Sequence, residues 1–448
     1  MSGGAPSGAE PTQSSGDGLK RSLGVIHLWG LAVGMVISGD YFGWNLGLSR
    51  GGPVGMIIAT LAVTVLYVCF IFSYTELAAA IPHSGGPSAF AKRAFGSWGA
   101  YVAGAATLIE FLFAPPAIAR AVGAYVNFRA PSLSVNAVSV GAFVLFGAIN
   151  AMGVSLAATL ELVITLLATF ELGLFFVLTA PHVQTSTLLA QPLLPGGVGG
   201  VFACVPFAIW FYLGLEGAAM SAEEVIEPKK TIPRGFLAAI ATLVTLALGV
   251  LVCTSGAVPW RELVADDSPL PKVLSRVLSR GHAMTHLMVY LGLLGLLASF
   301  HGIVLGCSRQ VFALARDGVL PATLARVHPK RRTPVAAILL SCSIGVAATL
   351  SGKTDALITM SVLGALVLYV TSMFSALKLR KSEPDLERPF VAPLHPVLPI
   401  VAIALSCVAF ASVAWSAPWV CAAFVAVMVV GGVVFGVAAR SKRESNLR

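Results

Sequence analysis

Long apolar runs divide the chain, and each is separated from the next by a short polar break. A helix needs about 20 apolar residues to cross the hydrocarbon core of a bilayer. The runs are continuous and do not alternate, so they predict membrane-spanning helices and argue against a transmembrane β-barrel. The predicted spans are residues 23–48, 54–80, 98–127, 133–151, 155–180, 200–221, 234–258, 284–314, 334–350, 355–378, 396–415 and 418–440.

Glycine occurs in two of these spans where an ordinary span has bulky apolar residues. Both sets flank an acidic residue, Asp40 in the first span and Glu216 in the sixth. The glycines are Gly34, Gly39, Gly43 and Gly47 in the first span and Gly214 and Gly217 in the sixth. The two spans are five apart, the separation of equivalent helices in a five-plus-five inverted repeat. The pattern predicts broken helices around a midplane binding site, although glycines also permit plain close packing.

Composition and charge support an integral membrane protein. Hydrophobic residues make up 57% of the 448-residue chain and charged residues only 11%, compared with about 25% charged in soluble domains. Of the 29 Lys and Arg residues, 20 fall in segments on the side of the N-terminus and 7 on the opposite side. This bias predicts that both termini are cytoplasmic. Because the basic residues are spread over short loops, the net charge of +9 requires no nucleic-acid partner.

The sequence lacks the usual signatures of a catalytic or metal centre. Its seven cysteines all lie in apolar runs with no CxxC pair, where free cysteine behaves as a small apolar residue. No GxxxxGK[ST] phosphate loop occurs, and the acids lack His/Asp metal spacing. We therefore expect no disulfide, no metal, no cofactor and no catalysed reaction.

Four stretches of the sequence resemble those of the amino acid–polyamine–organocation transporters. They are the glycine-interrupted first span with SRGGP at 49–53, YTELAAAIPHSGGPSAF at 74–90, GLEGAAMSAEEVIEPKKTIPRG at 214–235 and SRQVFALARDGVLP at 308–321. The resemblance extends from about Lys20 to the last span. It implies an all-α membrane protein with twelve transmembrane helices. The family fold is a LeuT-type 5+5 inverted repeat followed by two C-terminal helices, with spans 1 and 6 discontinuous.

The resemblance also implies a domain organisation and a location. Residues 1–19, rich in Gly, Ser and Pro, are expected to form a disordered cytoplasmic tail without a signal peptide. Spans 1–5 (20–180) and spans 6–10 (181–380) would form the two repeats. Spans 11 and 12 (381–440) and a cytoplasmic tail (441–448) follow. The protein would lie in the bilayer of a bacterial inner membrane as a multi-pass monomer or homodimer.

Six acidic residues fall within the predicted spans, where each carboxylate costs a few kcal/mol and requires a reason. They are Asp40, Glu76, Glu110, Glu161, Glu171 and Glu216. Relatives that carry amino acids bind the substrate carboxylate at the first break, on free N–H groups at a helix end. Asp40 lies where the second half of span 1 would begin, and its side chain can cap those N–H groups. At ~4 Å and an effective dielectric near 20, it would repel a substrate carboxylate by about 4 kcal/mol.

The position of Asp40 therefore predicts a cationic substrate that lacks a carboxylate. The stretches SGDYFGWN at 38–45 and EFLFAPPAIA at 110–119 look most like those of ethanolamine permeases. In the alternative interpretation, Asp40 is a helix cap that never meets the substrate. Glu110 is a candidate counter-charge for the substrate ammonium, beside a kink expected at Pro115 and Pro116. The alternative for Glu110 is a helix–helix hydrogen bond.

The remaining acids have separate interpretations. Glu216 matches a glutamate of the family's sixth span that is linked to gating and proton coupling. Glu171 could take the place of a lysine that proton-using relatives carry in span 5. Glu76 matches a family position of structural type, and Glu161 could simply reach the membrane interface.

Aromatic side chains lie beside both predicted breaks. Trp210 aligns with a gating tryptophan of relatives, and it could join an aromatic cage around an ammonium or simply pack against its neighbours. The cage would consist of Tyr41, Phe42 and Trp44 at the first break and Trp210, Phe211 and Tyr212 at the second.

Span 8 adds polar candidates of its own. His301 could relay protons or hold a structural hydrogen bond, while Ser299 and Ser308 could contribute to a sodium site. Arg309 and Arg316 are expected to form an inner gate with acids of the neighbouring loops. These acids are Glu223, Glu224 and Asp317.

Together these interpretations define a candidate site and a function. The substrate-binding candidates are Ser38, Gly39, Asp40, Tyr41, Glu110, Trp210, Tyr212, Gly214 and Glu216, and the proton-coupling or gating candidates are Glu171, Glu216 and His301. We expect a secondary active transporter that imports ethanolamine or a similar small cationic amine by alternating access, by proton coupling or exchange. The alternatives are an amino-acid or polyamine permease of the same superfamily and, from another class, an amine-binding membrane sensor. The sensor is disfavoured because both tails are too short for an output domain.

Overall fold

The computed structural model describes residues 21–152, 158–264, 266–316, 318–331 and 333–446. The α-helices in this part of the chain are α1 (Val25–Val36), α2 (Ser38–Tyr41), α3 (Leu48–Ala80), α4 (Pro87–Arg129), α5 (Val135–Met152), α6 (Ala158–Thr179), α7 (Thr185–Leu188), α8 (Gly197–Trp210), α9 (Pro228–Ala257), α10 (Pro269–Val277), α11 (Ala283–Arg316), α12 (Val335–Leu350), α13 (Thr354–Ser382), α14 (Val397–Ser416) and α15 (Pro418–Asn446). Within the described ranges, extended pairing is limited to one bridge between Leu23 and Val225. The predicted all-α class is confirmed.

The lengths of the helices match those of a membrane bundle. Among the described residues, ten helical segments are long and apolar enough to cross a bilayer. Two shorter apolar helices, Val25–Tyr41 and Val335–Leu350, coincide with the predicted first and ninth spans. The membrane fold is therefore confirmed, whereas the count of twelve spans and their division into two repeats stay predictions. The tail predicted at 1–19 lies outside the described residues, and α15 continues to Asn446.

Burial separates a central group of helices from a peripheral one. The apolar stretches of α4, α13 and the segment that begins with α8 are each 72% buried, but that of α15 is only 17% buried. A helix that is apolar all round yet exposed suits contact with lipid, so α15 lies at the edge of the bundle. The central helices carry the polar residues of the candidate site.

The third span differs from the sequence prediction in where it breaks. The helix α4 starts at Pro87, eleven residues before the predicted span, and its non-helical backbone falls at Gly96 (φ 71°). Glycine adopts this positive φ without steric cost. The backbone stays helical through Pro115 and Pro116, so these prolines do not interrupt the helix, and the kink expected there stays a prediction. The prolines lie where α4 is deeply buried, and packing against its neighbours keeps the helix intact there.

Glu76 connects α3 to the segment that follows α13. Its carboxylate accepts two hydrogen bonds from Arg380 (2.8 and 2.5 Å) and one from the Ala392 N–H (2.7 Å), and Arg388 lies 3.3 Å away. Every oxygen of this buried carboxylate therefore has a donor, as expected for a structural acid. The arrangement agrees with the structural interpretation of Glu76.

Candidate functional site

The first predicted break is present, but it lies further along the chain than Asp40. The helices α1 and α2 are nearly continuous, with only Ile37 between them. The helical path then ends at Phe42, which is extended, and Gly43, whose φ is 91°. A short 3₁₀ helix, Trp44–Gly47, completes the span. Asp40 therefore occupies the last turn of the first half-helix and not the start of the second.

Asp40 does not have the capping role that the sequence predicted. The N–H of Gly43 is bound by the side-chain oxygen of Asn45 at 2.9 Å, and both carboxylate oxygens of Asp40 are buried without a hydrogen-bond partner. The helix-cap interpretation is wrong because the break falls three residues later than expected. A carboxylate at a helix C-terminus also opposes the helix dipole. An uncompensated buried acid of this kind is a candidate for binding a cation.

The second break has the same form as the first. The helix α8 ends at Trp210, and a turn leads to Gly214, whose φ of 97° lies in the left-handed region. A 3₁₀ helix then runs from Leu215 to Glu224 and carries Glu216 in its first turn. The predicted discontinuity of the sixth span is confirmed.

The two breaks are in direct contact. A Cβ atom at Gly39 would lie 2.3 Å from the carbonyl oxygen of Trp210, so only glycine permits the approach. A Cβ atom at Gly43 would lie 2.5 Å from the indole nitrogen of Trp210, which is buried without a partner. Glycine at these two positions is therefore explained by packing between the broken spans.

The aromatic residues at the breaks largely pack on one another. Phe42 and Trp210 are edge-to-face at 5.5 Å, and Trp44 stacks on Phe211 at 5.7 Å. The hydroxyl of Tyr212 lies 2.6 Å from that of Thr64 on α3. The ring faces of Trp44 and Phe211 are thus already occupied, which favours the packing interpretation for this pair.

Glu110 and Glu216 are brought together by the fold. Both side chains are fully buried, and their carboxyl groups are direct neighbours. No donor reaches either oxygen of Glu110 or Oε1 of Glu216, whereas Oε2 of Glu216 accepts a hydrogen bond of 3.3 Å from the Tyr369 hydroxyl. The sequence assigned these acids to separate roles, substrate binding and coupling. The structure places them in one carboxyl pair.

Hydroxyl groups surround this carboxyl pair. The Tyr67 and Tyr369 hydroxyls are 2.6 Å apart, and the Tyr74 hydroxyl donates to the backbone oxygen of Glu216 at 3.1 Å. Sequence analysis missed these tyrosines because they lie inside apolar runs. The signal that could have found them is the tyrosine hydroxyl itself, because a buried tyrosine hydroxyl usually has a hydrogen-bond partner.

Two further acids of α6 face the first span. Oε2 of Glu171 accepts a 2.7 Å hydrogen bond from Tyr41. Oε1 of Glu161 lies without a donor near Gly34 of α1 and Gly302 of α11. The carboxyl group of Glu161 therefore points into the bundle, whereas its depth relative to the membrane interface stays a prediction.

His301 and the two serines of α11 have partners of their own. Nε2 of His301 is 3.0 Å from the Asn150 side-chain oxygen on α5, which is the geometry of a structural hydrogen bond. The Ser299 hydroxyl contacts the Met35 carbonyl (2.6 Å) and the Ser38 hydroxyl (2.8 Å), but Ser308 bonds within its own helix. Of the two serines, Ser299 alone is joined to the first break by these contacts.

A vestibule of about 900 Å³ opens on one side of the breaks, lined by residues of α4, α11 and the Leu215–Glu224 helix. Met220 lies in its wall, four residues from Glu216. Arg309 reaches Glu224 at 3.9 Å, while the Arg316 guanidinium lies 5.7 Å over the Phe312 ring. The predicted gate contact of Arg309 is present at this long distance. Asp317 lies outside the described residues.

The opposite side of the first break is covered by residues 260–264 and 266–277, which include α10 and are called the lid here. The Asn45 amide donates to the carbonyl oxygens of Leu263 (2.6 Å) and Asp266 (2.8 Å). Asp267 pairs with Arg120 of α4 at 3.2 Å. Burial raises the pKa of Asp267, and the neighbouring Arg120 partly counteracts this rise. Arg120 lies within the predicted span 98–127, and its ion pair with Asp267 of the lid explains a charge at that position.

Comparison with known proteins gives a consistent result over the whole bundle. The sequence profile of the amino acid permease family matches residues 23–437. An uncharacterised transporter of Rhizobium meliloti is 32% identical, over 87% of this chain and 85% of its own length. A branched-chain amino acid permease of Bacillus subtilis is 27% identical over 86% of both chains. A methylthioribose transporter of the same species is 26% identical over 87% of both.

Proposed function

Because the chain belongs to the amino acid permease family of the amino acid–polyamine–organocation superfamily, whose members are membrane transporters and not enzymes, we propose that it imports ethanolamine or a similar small amine without a carboxylate. Transport would occur by alternating access around the two broken spans, across the inner membrane of a bacterium. Both termini would be cytoplasmic, and the vestibule would then face the cytoplasm, where the basic loops lie.

One observation carries the choice of substrate: three fully buried carboxyl groups lie at the breaks and face no basic side chain. They belong to Asp40, Glu110 and Glu216, and within the described chain the donors near their carboxylate oxygens are uncharged, namely the Tyr369 hydroxyl and backbone N–H groups beside Glu216. Buried acids that lack a partner are strongly destabilising unless a proton or a cation neutralises them. A substrate ammonium supplies such a cation.

The same groups oppose a substrate that carries its own carboxylate. Two like charges ~4 Å apart at an effective dielectric near 20 repel by about 4 kcal/mol. An amino acid would bring its carboxylate to the breaks beside these acids. An amino alcohol instead presents a hydroxyl, which suits the Ser38 and Tyr212 hydroxyls at the breaks.

Residues around the first span supply candidates for coupling. Glu171 is joined to Tyr41 in the first break, so it can respond when that segment moves. Glu110 and Glu216 face each other, and as a pair they are the stronger candidate for handling a proton. His301 bonds to Asn150 on the far side of α11, and we assign it the structural role.

The rival function within the family is transport of neutral amino acids. The Bacillus subtilis relative is named for branched-chain amino acids, and its similarity extends over most of both chains. In that case Asp40 would be protonated when substrate binds, and the carboxylate of the amino acid would occupy the first break.

Uptake into proteoliposomes tests the proposal. The purified protein is supplied with radiolabelled ethanolamine, with and without an inward proton gradient, and with excess serine, arginine or putrescine as competitors. We expect uptake of ethanolamine that excess serine and arginine do not inhibit. Inhibition by either amino acid at the same excess would favour the amino-acid function.

A variant makes the same experiment specific to Asp40. Replacing Asp40→Asn should weaken ethanolamine uptake roughly tenfold or more and relax the exclusion of serine. Glu387→Gln removes an acid that is exposed to solvent, and serves as the matched control. Unchanged selectivity in Asp40→Asn would remove the electrostatic basis of the proposal.

A further inference from the structure

On the premise of the amine substrate above, we propose that Glu110 and Glu216 form one exchange site, which holds either a proton or the substrate ammonium. Binding of one amine would then release one proton from the protein. The site acts as an exchanger of cations and not as a place where proton and amine bind together.

The first argument is the contact between the two acids. The carboxyl groups are direct neighbours in a fully buried position, and two adjacent carboxylates cannot both be ionised without a cation between them. Among the described residues, the donors near the pair are the Tyr369 hydroxyl and the backbone N–H groups of Gly214 and Glu216, none of which carries a charge. Without substrate, the pair therefore holds at least one proton.

The hydrogen bonds indicate which acid holds that proton. Oε2 of Glu216 accepts from Tyr369, and Glu216 lies in the first turn of a 3₁₀ helix, where a negative charge is favoured. Neither oxygen of Glu110 receives a donor. We therefore assign the proton to Glu110, where it can be shared with the neighbouring Glu216 carboxylate.

Other ionisable groups near the pair do not change this balance. Tyr67 and Tyr74 face it from α3 and Tyr369 faces it from α13, all of them neutral hydroxyls. Tyr212 and Asp40 lie beyond Tyr67 on the side of the breaks. The charged or titratable groups of α11 point elsewhere, since His301 bonds to α5 and Arg309 lines the vestibule.

The second argument is what an ammonium does to the ionisation of the pair. Two adjacent buried carboxyl groups cannot both be ionised unless a cation lies between them. An ammonium that enters between the carboxyl groups supplies that cation, so the proton held by the pair can leave. Before binding, Glu110 is a neutral carboxylic acid and Glu216 is a carboxylate. After R-NH₃⁺ has bound between them, both groups are carboxylates and one H⁺ has been released. The net charge of the site is the same before and after.

Isothermal titration calorimetry of the full-length protein measures this proton directly. Ethanolamine hydrochloride is titrated at one pH in buffers of different ionisation enthalpy, and the slope of the observed heat against that enthalpy gives the protons released. We expect about one proton per amine bound, and an apparent Kd that rises about tenfold for each unit that the pH falls. The amine itself stays protonated over about pH 6–8.

Two variants localise the proton. In Glu110→Gln the side-chain amide can still donate to Glu216, so the site keeps its hydrogen bond but loses the exchangeable proton. We expect weaker binding with no proton release. Glu161→Gln changes another acid buried away from the pair, and its release should equal that of the unaltered protein.

The outcomes separate this inference from the proposed function. If ethanolamine binds and no proton is released, the exchange site is wrong and the amine substrate stands. If ethanolamine gives no binding heat while serine does, the proposed function fails. If Glu110→Gln does not fold, the proton count on the unaltered protein still decides, because a slope of zero overturns the inference by itself.

Discussion

The Tyr41 hydroxyl donates a 2.7 Å hydrogen bond to the Glu171 carboxylate and thereby joins the first break to α6. The same tyrosine is held from the other side, since the Tyr125 hydroxyl donates to its backbone oxygen at 3.1 Å. The broken first span is therefore fixed to its neighbours by polar contacts at its last helical turn. Movement of this turn during transport has to break or carry these bonds.

Replacing Tyr41→Phe tests this connection. The change leaves Glu171 buried without its donor, which we expect to destabilise the protein by about 1–3 kcal/mol. Thermal unfolding in detergent measures the loss. Because the donor is missing, the pH profile of transport should also shift, whereas a shift in unfolding alone would indicate a purely structural bond. Tyr290→Phe, on the exposed face of α11, is the control.

Substitution at Gly39 tests the contact between the breaks. In Gly39→Ala the new methyl group would lie 2.3 Å from the Trp210 carbonyl oxygen, so the two breaks have to separate. Overpacking of this kind costs about 1–3 kcal/mol, and we expect transport to fall at least roughly tenfold. Gly173→Ala on α6 adds the same methyl group in open space. Equal transport rates in the two variants would contradict the close contact.

The lid should respond to pH through Asp267. Burial raises the pKa of Asp267 in the closed position, whereas an open lid would return this group to its ordinary value. Because the pKa of this carboxyl group is raised in the closed lid, its protonation stabilises the closed lid at low pH. This stabilisation is lost as the pH rises through the raised pKa. Hydrogen exchange of residues 263–277, corrected for intrinsic rates, should therefore show the greatest protection toward acidic pH. In Asp267→Asn this dependence should be absent, and a lid that opens on acidification would refute the assignment.

The Glu76 cluster should contribute to stability and little to transport. Glu76→Gln leaves Arg380 and Arg388 without their shared carboxylate, which we expect to cost about 3 kcal/mol of unfolding free energy. Glu383→Gln removes an ion pair of the same length, with Arg93, on the exposed surface, and should cost less than about 1 kcal/mol. Thermal unfolding of both variants in the same detergent makes the comparison. A larger loss in Glu383→Gln would show that burial does not decide the effect.

The sequence alone determined the class of the protein and which two of its spans are broken. Apolar runs of span length permit only helices in lipid. A glycine with positive φ lies at each break, Gly43 and Gly214, and both glycines were recognisable in the sequence because they interrupt an apolar run. The acids inside the spans were also recognisable, because each is costly there. Their number and approximate positions needed no structure.

Tertiary structure decided which of those acids act together. Glu110 and Glu216 are 106 positions apart in the chain, and no periodicity predicts that α4 and the broken sixth span bring them into contact. The break in the first span fell three residues later than expected, so Asp40 became an unpartnered acid at a helix end and not a cap. The physical reason is that periodicity and propensity report local geometry, whereas the partner of a buried charge depends on which helices pack against each other.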